Sequence, residues 1–287
     1  MPSPSIADKR RTFRALHQSG CFVIPNPWNI GSARYLQGLG FKALATTSSG
    51  FAHAQGYADG QQSCDEVLAH FSEIAAATDV PVNADFEGGY ADDPDGVAAN
   101  VTRCIATGVA GLSIEDATGN PDRPLYDFDL ALARVKAARA AIDKAGGQEN
   151  SKVVFTARTE GFIRGRPDLD ETIRRLKAFA DAGADCLYSP GIKTREQIEA
   201  TVQAVAPKPV NFLNSGAFGF TVKDLAGMGV RRISVGGTLA RVAMNAFIKS
   251  ATEIANERKF DSFAGVITNP ELNKFFADDR ARRSKPE

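Results

Sequence analysis

Eight short runs of β-branched and apolar residues recur along the 287-residue chain, with stretches of helical spacing between them. The runs are Cys21–Pro25, Ala43–Thr47, Val82–Asp85, Gly111–Glu115, Val153–Arg158, Cys186–Tyr188, Val210–Leu213 and Arg232–Val235. Amphipathic segments fall at Asp65–Thr78, Gly96–Thr107, Asp129–Ala145, Leu169–Ala182, Thr194–Val205 and Val222–Met228. Such alternation implies parallel strands joined by helical crossovers, and eight units predict an α/β fold, the closed (β/α)8 TIM barrel. Punctuation agrees. Glycines in ATGVAG, DAGAD and GMGV can stop helices in the left-handed conformation, and Pro81 and Pro209 precede strands, where a missing N–H is tolerated. A doubly wound open sheet would want a glycine-rich turn after the first run, where the chain instead reads NPWNIGSA.

The whole chain, 1–287, is expected to form one barrel domain, with 237–287 as a C-terminal helical extension. Within that extension Gly236 to Arg258 reads as a long helix with an apolar face, followed by short apolar pieces from Phe260 to Phe276. One barrel does not need so much chain, so the extension is expected to pack on a partner subunit. Lys and Arg total 34 and Asp and Glu total 34, so no net charge recommends nucleic acid or acidic lipid as a partner. Cys21, Cys64, Cys104 and Cys186 form no CxxC pair or disulfide spacing and read as reduced thiols. With no signal-peptide pattern and no run approaching the ~18 apolar residues of a membrane span, the expected location is cytoplasmic.

Four acids follow three successive runs: Asp59, then Asp85 and Glu87 in VNADFEGGY, then Glu115 in LSIEDATG. In a barrel these positions fall at the carboxyl ends of strands, where catalytic groups gather. Carboxylates crowded at one opening repel one another, and a hard divalent cation compensates them, Mg²⁺ first and Mn²⁺ as the alternative. Because Mg²⁺ keeps several waters, Asp85 is expected to bind it directly, with Glu87, Asp59 and Glu115 acting through bound water. Asp85 and Glu87 would face one side if the chain stays extended.

Arg158, at the end of TAR, offers a planar fork to a substrate carboxylate, its rival role being an ion pair with Glu115 or Glu160. Arg158, Asp59 and Glu115 are the candidate catalytic side chains. Ser48, Ser49 and Gly50 read as a loop offering hydroxyls and backbone N–H groups to an oxyanion. Asn214 is a candidate donor to a carboxylate, and Trp28 and Asn26 could wall the pocket. Chemistry is also excluded: no lysine ends a strand for a Schiff base, and neither zinc spacing nor a nucleotide-binding glycine loop is present.

From about Phe22 to Arg241 the chain resembles the isocitrate lyase / phosphoenolpyruvate mutase superfamily. The resemblance rests on PNPWNIGSARYLQGLGFKALATTSSG, NADFEGGY, SIEDATG, TARTEGFIRGRPDLDETIRRLKAFADAGAD and ISVGG. It implies a TIM barrel, Mg²⁺, small 2-oxo or 2-hydroxy acid substrates, and dimers of dimers that swap the last barrel helix. It also implies that Asp59, Asp85, Glu87 and Glu115 match the metal acids, Arg158 the carboxylate arginine, Ser49 and Gly50 the oxyanion loop, and Asn214 the family asparagine. One departure stands out. Isocitrate and methylisocitrate lyases carry a gating loop with a catalytic cysteine after the fourth strand, whereas this chain has EDATGNPDRPLYD, without Cys, Lys or His. The lysine and Asn-Ser pair of the phosphonopyruvate enzymes are absent too.

The reaction best matched to that loop is a Mg²⁺-dependent lyase cleaving a C–C bond of a small di- or tricarboxylic acid through an enolpyruvate-like anion. Decarboxylation of an oxaloacetate-like acid needs no base to begin, so it suffers least from the missing cysteine; a methylisocitrate-like retro-aldol cleavage is the neighbouring reading. The alternatives are C–P chemistry on phosphonopyruvate, with Arg123, Arg164 and Arg166 as candidate donors, and a non-catalytic 2-oxo-acid binding protein.

Overall fold

The computed structural model describes residues 3–145 and 152–283. Eight parallel strands form one sheet in the order β1-β8-β7-β6-β5-β4-β3-β2. They are β1 (Phe22–Ile24), β2 (Leu44–Ala45), β3 (Val82–Asp85), β4 (Gly111–Glu115), β5 (Val154–Arg158), β6 (Cys186–Tyr188), β7 (Val210–Leu213) and β8 (Arg232–Ser234). The seam between β1 and β2 is bridged by the Ala45 N–H, which donates to the Pro25 carbonyl at 3.1 Å. The fold is therefore the expected (β/α)8 barrel, each strand lying within one of the eight sequence runs.

Helices between the strands start on local signals. Ser63 caps α4 (Cys64–Ala77) and Thr194 caps α8 (Arg195–Val205), each in a reciprocal capping box with Glu66 and Gln197. Asp93 with Pro94 opens α5 (Pro94–Ala106), and Asp168 opens α7 (Leu169–Asp181). Helix α6 (Phe128–Lys144) and the short α9 (Val222–Gly227) complete the amphipathic set.

Three helices were not legible in the sequence. Helix α1 (Ile6–Gln18) closes the amino-terminal end of the barrel by burying Phe13 among Ile24, Ala43, Ala45, Ala110 and Val154. Phe13 rests so closely on Gly111 that a methyl there would collide with its ring. Truncating a phenylalanine so enclosed costs roughly 3–5 kcal/mol. Helix α2 (Ile30–Gly38) follows β1. Helix α3 (Ser48–Ala54) replaces the loop expected at Ser48-Ser49-Gly50, because Thr47 accepts from the Gly50 N–H and turns the chain at once into a helix.

Beyond β8, α10 (Thr238–Glu257) runs for twenty residues with Ala240 as its buried residue. A 3-10 turn at Asp261–Phe263 leads to α11 (Asn269–Arg283), which returns to α2. There Arg34 donates to Asp279 at 2.8 Å and Phe275 packs on Tyr35, ring centres 4.6 Å apart. Among the described residues no helix is long and apolar enough to cross a membrane. The four cysteines are free, Cys104 and Cys186 buried and the other two half-buried.

Candidate active site

Strand ends β3, β4 and β5 converge on one guanidinium. Arg158 Nη1 donates to Asp85 Oδ1 at 2.6 Å, Nη2 lies 3.1 Å from Glu115 Oε2, and Nε donates to Glu160 Oε1 at 3.0 Å. The same group lies 4.8 Å above the Tyr188 ring at the end of β6. One cation thus serves three carboxylates in a buried place, and that excess of acid holds Arg158 protonated well above its ordinary range against the opposing pull of burial. The second oxygen of Asp85 accepts from the Ser48 N–H at 3.1 Å, which fixes the carboxylate on both sides. Behind the site, buried Asp116 accepts from Thr159 Oγ1 at 2.8 Å, the Glu160 N–H at 2.9 Å and Arg175 Nη1 at 3.0 Å. It holds the turn after β5, and with it Glu160 beneath Arg158.

Glu87 does not continue β3 as an extended residue. The chain turns sharply at Phe86, and Glu87 and Tyr90 both take left-handed backbone angles, φ 45° and 55°. Non-glycine residues seldom adopt such angles, so the turn needs support. Arg134 of α6 supplies it, donating to the carbonyls of Gly88, Ala91 and Asp92. Tyr90 donates to Glu87 Oε1 at 2.5 Å. Burial lifts the Glu87 carboxyl to about 7, helped by Asp85, Glu115 and Asp59 and opposed by the Tyr90 hydrogen bond. Burial also raises Glu115 and Glu160, against the attraction of Arg158. Among the described residues no three His, Cys, Asp or Glu side chains are grouped as a ready metal cage. Asp85 and Glu115 are instead both turned toward Arg158.

These groups line a cavity of about 280 Å³ at the carboxyl-terminal mouth of the barrel, together with Asp59, Ser48, Ser49, Asn26 and Arg164. Three expected contacts lie elsewhere. Trp28 and Gly50 line a neighbouring hollow under α10, where a Cβ on Gly50 would stand 2.7 Å from Thr47 Cγ2 and 3.2 Å from both Trp28 and Ala240. Gly50 is thus required by packing, and its N–H is spent on Thr47. Asn214 stands outside the cavity lining, its Oδ1 buried without a partner and its N–H donating to the Ser234 carbonyl at 2.8 Å. Of the three arginines considered for a phosphonyl group, Arg164 reaches the cavity, 3.5 Å from Glu115, whereas Arg166 lines a separate hollow and Arg123 is exposed.

Sequence reasoning missed Thr46, Tyr188, Asn211, Arg232 and Arg241, whereas Gly236 and Gly237, which read in the sequence as a weak phosphate-cradling helix start, also line the cavity. Strand alternation could have found several, because Tyr188, Asn211 and Arg232 share the inward parity of their strands with groups at the mouth. Asn26 was foreseen only as a wall. It binds three elements together, donating to the Thr46 carbonyl at 2.9 Å and accepting from the Val235 and Gly236 N–H groups at 3.0 and 2.9 Å.

A parallel barrel whose carboxyl-terminal mouth gathers acids around a buried arginine is a framework for enzymes that act on small anions. The chain belongs to the phosphoenolpyruvate phosphomutase family, whose model matches residues 13–255. A solved structure from Burkholderia cenocepacia J2315, described as a "putative lyase/mutase", is 42% identical and superimposes with a TM-score of 0.89 over 95% of this chain and 96% of that one. The oxaloacetate decarboxylase of Paraburkholderia xenovorans is 30% identical over 69% of this chain and 66% of its own. The 2-methylisocitrate lyase of Escherichia coli is 28% identical over 74% and 73%.

Proposed function

We propose that this chain is a Mg²⁺-dependent lyase that cleaves a C–C bond of a small 2-oxo or 2-hydroxy di- or tricarboxylic acid, in the manner of an oxaloacetate decarboxylase. The observation that carries the reading is the convergence of Asp85, Glu115 and Glu160 on Arg158 at the barrel mouth. Kinship with two carbon–carbon lyases supports it.

The donor set fits a hard divalent ion. All candidate ligands are carboxylate oxygens, and Asp85, Glu115 and Asp59 add to the burial that raises Glu87, a crowding of acids that a hard cation would compensate. An ion that keeps several waters needs only one or two carboxylates, so Asp85 would hold it directly while Glu87, Asp59 and Glu115 hold its waters. Bound there, Mg²⁺ supplies Lewis-acid polarisation of the substrate's C2 oxygen.

The protein's own groups do the rest. Arg158 would turn from Asp85 to receive the substrate carboxylate, since its planar fork binds one better than a shared set of acids allows. Ser48 and Ser49 line the adjacent wall and offer hydroxyls to the oxygen that gains charge as the bond breaks. Loss of CO₂ from a 2-oxo diacid needs no base to start, which suits a loop after β4 without Cys, Lys or His.

That loop is tied to itself, with Thr118 N–H donating to the Pro124 carbonyl at 3.1 Å and Tyr126 N–H to the Asp116 carbonyl at 2.9 Å. Pyruvate release from oxaloacetate, methylisocitrate, dimethylmalate and phosphonopyruvate, each with and without Mg²⁺, tests the reading. Release from phosphonopyruvate alone would favour C–P chemistry, for which the presence of Arg164 at the cavity speaks. Oxalate binding without turnover of any substrate would favour a binding protein. The apolar C-terminal extension supports assembly with further copies of the chain, as a homo-oligomer.

A further inference from the structure

One layer below the mouth, the barrel interior is polar where such barrels are commonly filled by branched apolar side chains. Asn83, Ser113, Thr156, Asn211 and Arg232 are all at least 96% buried. Arg232 precedes Ser234 by two residues on β8, so it sits about 7 Å deeper than the ring of groups at the strand ends. It nevertheless lines the same cavity as Arg158.

Its partners are neutral. Nε donates to Asn211 Oδ1 at 2.8 Å, and Nη1 lies 3.3 Å from His17 Nε2. His17 meets the Phe13 carbonyl through Nδ1 at 2.7 Å, and burial, reinforced by Arg232, lowers its pKa to about 3. The ring is therefore a neutral acceptor. The other buried arginines are compensated differently. Arg34, Arg158 and Arg175 each face carboxylates, and Arg134 spends its two terminal nitrogens on three backbone carbonyls. Among the described residues Arg232 alone of these has neither an acid nor a set of carbonyls, and its Nη2 has no partner. Asn83 Oδ1 and Thr156 Oγ1, in the same layer, are also buried without partners.

Resting on the lyase reading above, the geometry points to a second anion subsite on the cavity floor, formed by Arg232 with Asn211 and Ser234, that receives the distal carboxylate of a short diacid substrate. A desolvated guanidinium without a counter-charge is costly, and an incoming carboxylate relieves that cost. Asn211 orients the fork from below, and its Nδ2 in turn donates to Ser234 Oγ at 2.9 Å, so the three groups are held as one unit. Selection would follow from charge. Monoacids leave Arg232 uncompensated, and so does oxalate, whose directly bonded carboxylates cannot span from Arg158 to the cavity floor, whereas a four-carbon diacid engages both arginines.

Calorimetric titration of the full chain in Mg²⁺ with oxalate, lactate and malate tests this, since lactate and malate differ by one carboxylate. Unmodified protein should bind malate about tenfold or more tightly than lactate. Arg232→Met should remove that preference while leaving oxalate affinity within about twofold, and Arg232→Lys should restore part of it. Equal affinity for malate and lactate in the unmodified protein, with oxalate still bound, would overturn the subsite alone, whether or not the variants fold. A preference for malate that survives in folded Arg232→Met would also overturn it. Failure of the unmodified protein to bind oxalate would overturn the lyase reading and the subsite together.

Discussion

Asp85 and Arg158 meet at 2.6 Å across the barrel mouth, joining the ends of β3 and β5, which are not neighbours in the sheet. Arg158 also holds Glu115 and Glu160, so this contact is one of three made by a single guanidinium. Removing Asp85 therefore leaves the cation still paired and lessens repulsion among the acids. Asp85→Ala is expected to change unfolding free energy by about 1 kcal/mol or less. The same change should lower Mg²⁺-dependent kcat/KM by about a thousandfold or more, because the direct ligand is lost. Denaturant unfolding and steady-state kinetics on one preparation check both. Metal-dependent turnover retained in the variant would remove Asp85 from the proposed role.

Arg158→Lys separates a substrate fork from a structural bridge. An ammonium can stay near Glu115 and Glu160 but cannot present two parallel N–H donors. KM is expected to rise by about tenfold with a smaller change in kcat, since a binding contact is lost. An unchanged KM, measured over a full substrate range, would show the arginine to be structural.

Gly237 opens α10 beside the cavity, at backbone angles that any residue adopts. A methyl group there would collide with Ser49 Oγ, the end of a small side chain that can swing aside. Gly237→Ala should thus cost little stability, about 1 kcal/mol or less, while moving Ser49 from the wall of the site. A fall in kcat of about tenfold with an unaltered melting curve is the expected result. Full activity in that variant would show that the Ser49 hydroxyl makes no contribution.

The strands and acid positions were legible because each rests on local chemistry: β-branched runs, glycine stops and a carboxylate at the run's end. What escaped depends on partners far along the chain. Phe13 and His17 plug and brace a barrel whose first strand lies beyond them in sequence. Glu87 was expected to extend from β3, yet Arg134, 47 positions later, holds it in a left-handed turn. SSGFAHA was read as a loop because a seven-residue helix offers too few periods to register. Asn214 looked well placed after β7, but the turn there sends its side chain outside the cavity lining.

His70 gives a pH dependence independent of the catalytic groups. It is buried in α4, stacked on Phe51 with ring centres 4.0 Å apart, and its Nε2 has no partner. Burial lowers its pKa from 6.5 to about 4. On acidification the unfolded chain takes up a proton that the native ring refuses. The stabilising contribution is whole above pH 6.5 and is lost as pH falls toward 4, at up to about 1.4 kcal/mol per pH unit. His70→Phe should keep the stack, remove the unsatisfied nitrogen, and flatten the decline in stability across that window. Parallel slopes for the two proteins would show that His70 does not titrate differently on folding.

The far end of the chain carries the last prediction. On α10 Val242, Met244, Phe247 and Ile248 are exposed, and beyond it so are Phe260, Phe263, Val266 and Ile267. Val242 and Phe247 are 61% and 66% exposed. A contiguous run of large apolar side chains is unusual on a monomer and marks a surface built to be covered. Helix α11 is already anchored to α2 through Arg34 and Asp279, so it holds the base of the extension while leaving α10 uncovered. A second copy offering the same helix would give an isologous interface, the commonest kind in homo-oligomers. Light scattering should therefore report a mass that is a multiple of 30.6 kDa. Phe247→Glu should shift it toward the single chain without unfolding the barrel, because the side chain touches solvent rather than core. A monomeric mass for the unmodified protein at micromolar concentration would rule out assembly through this face.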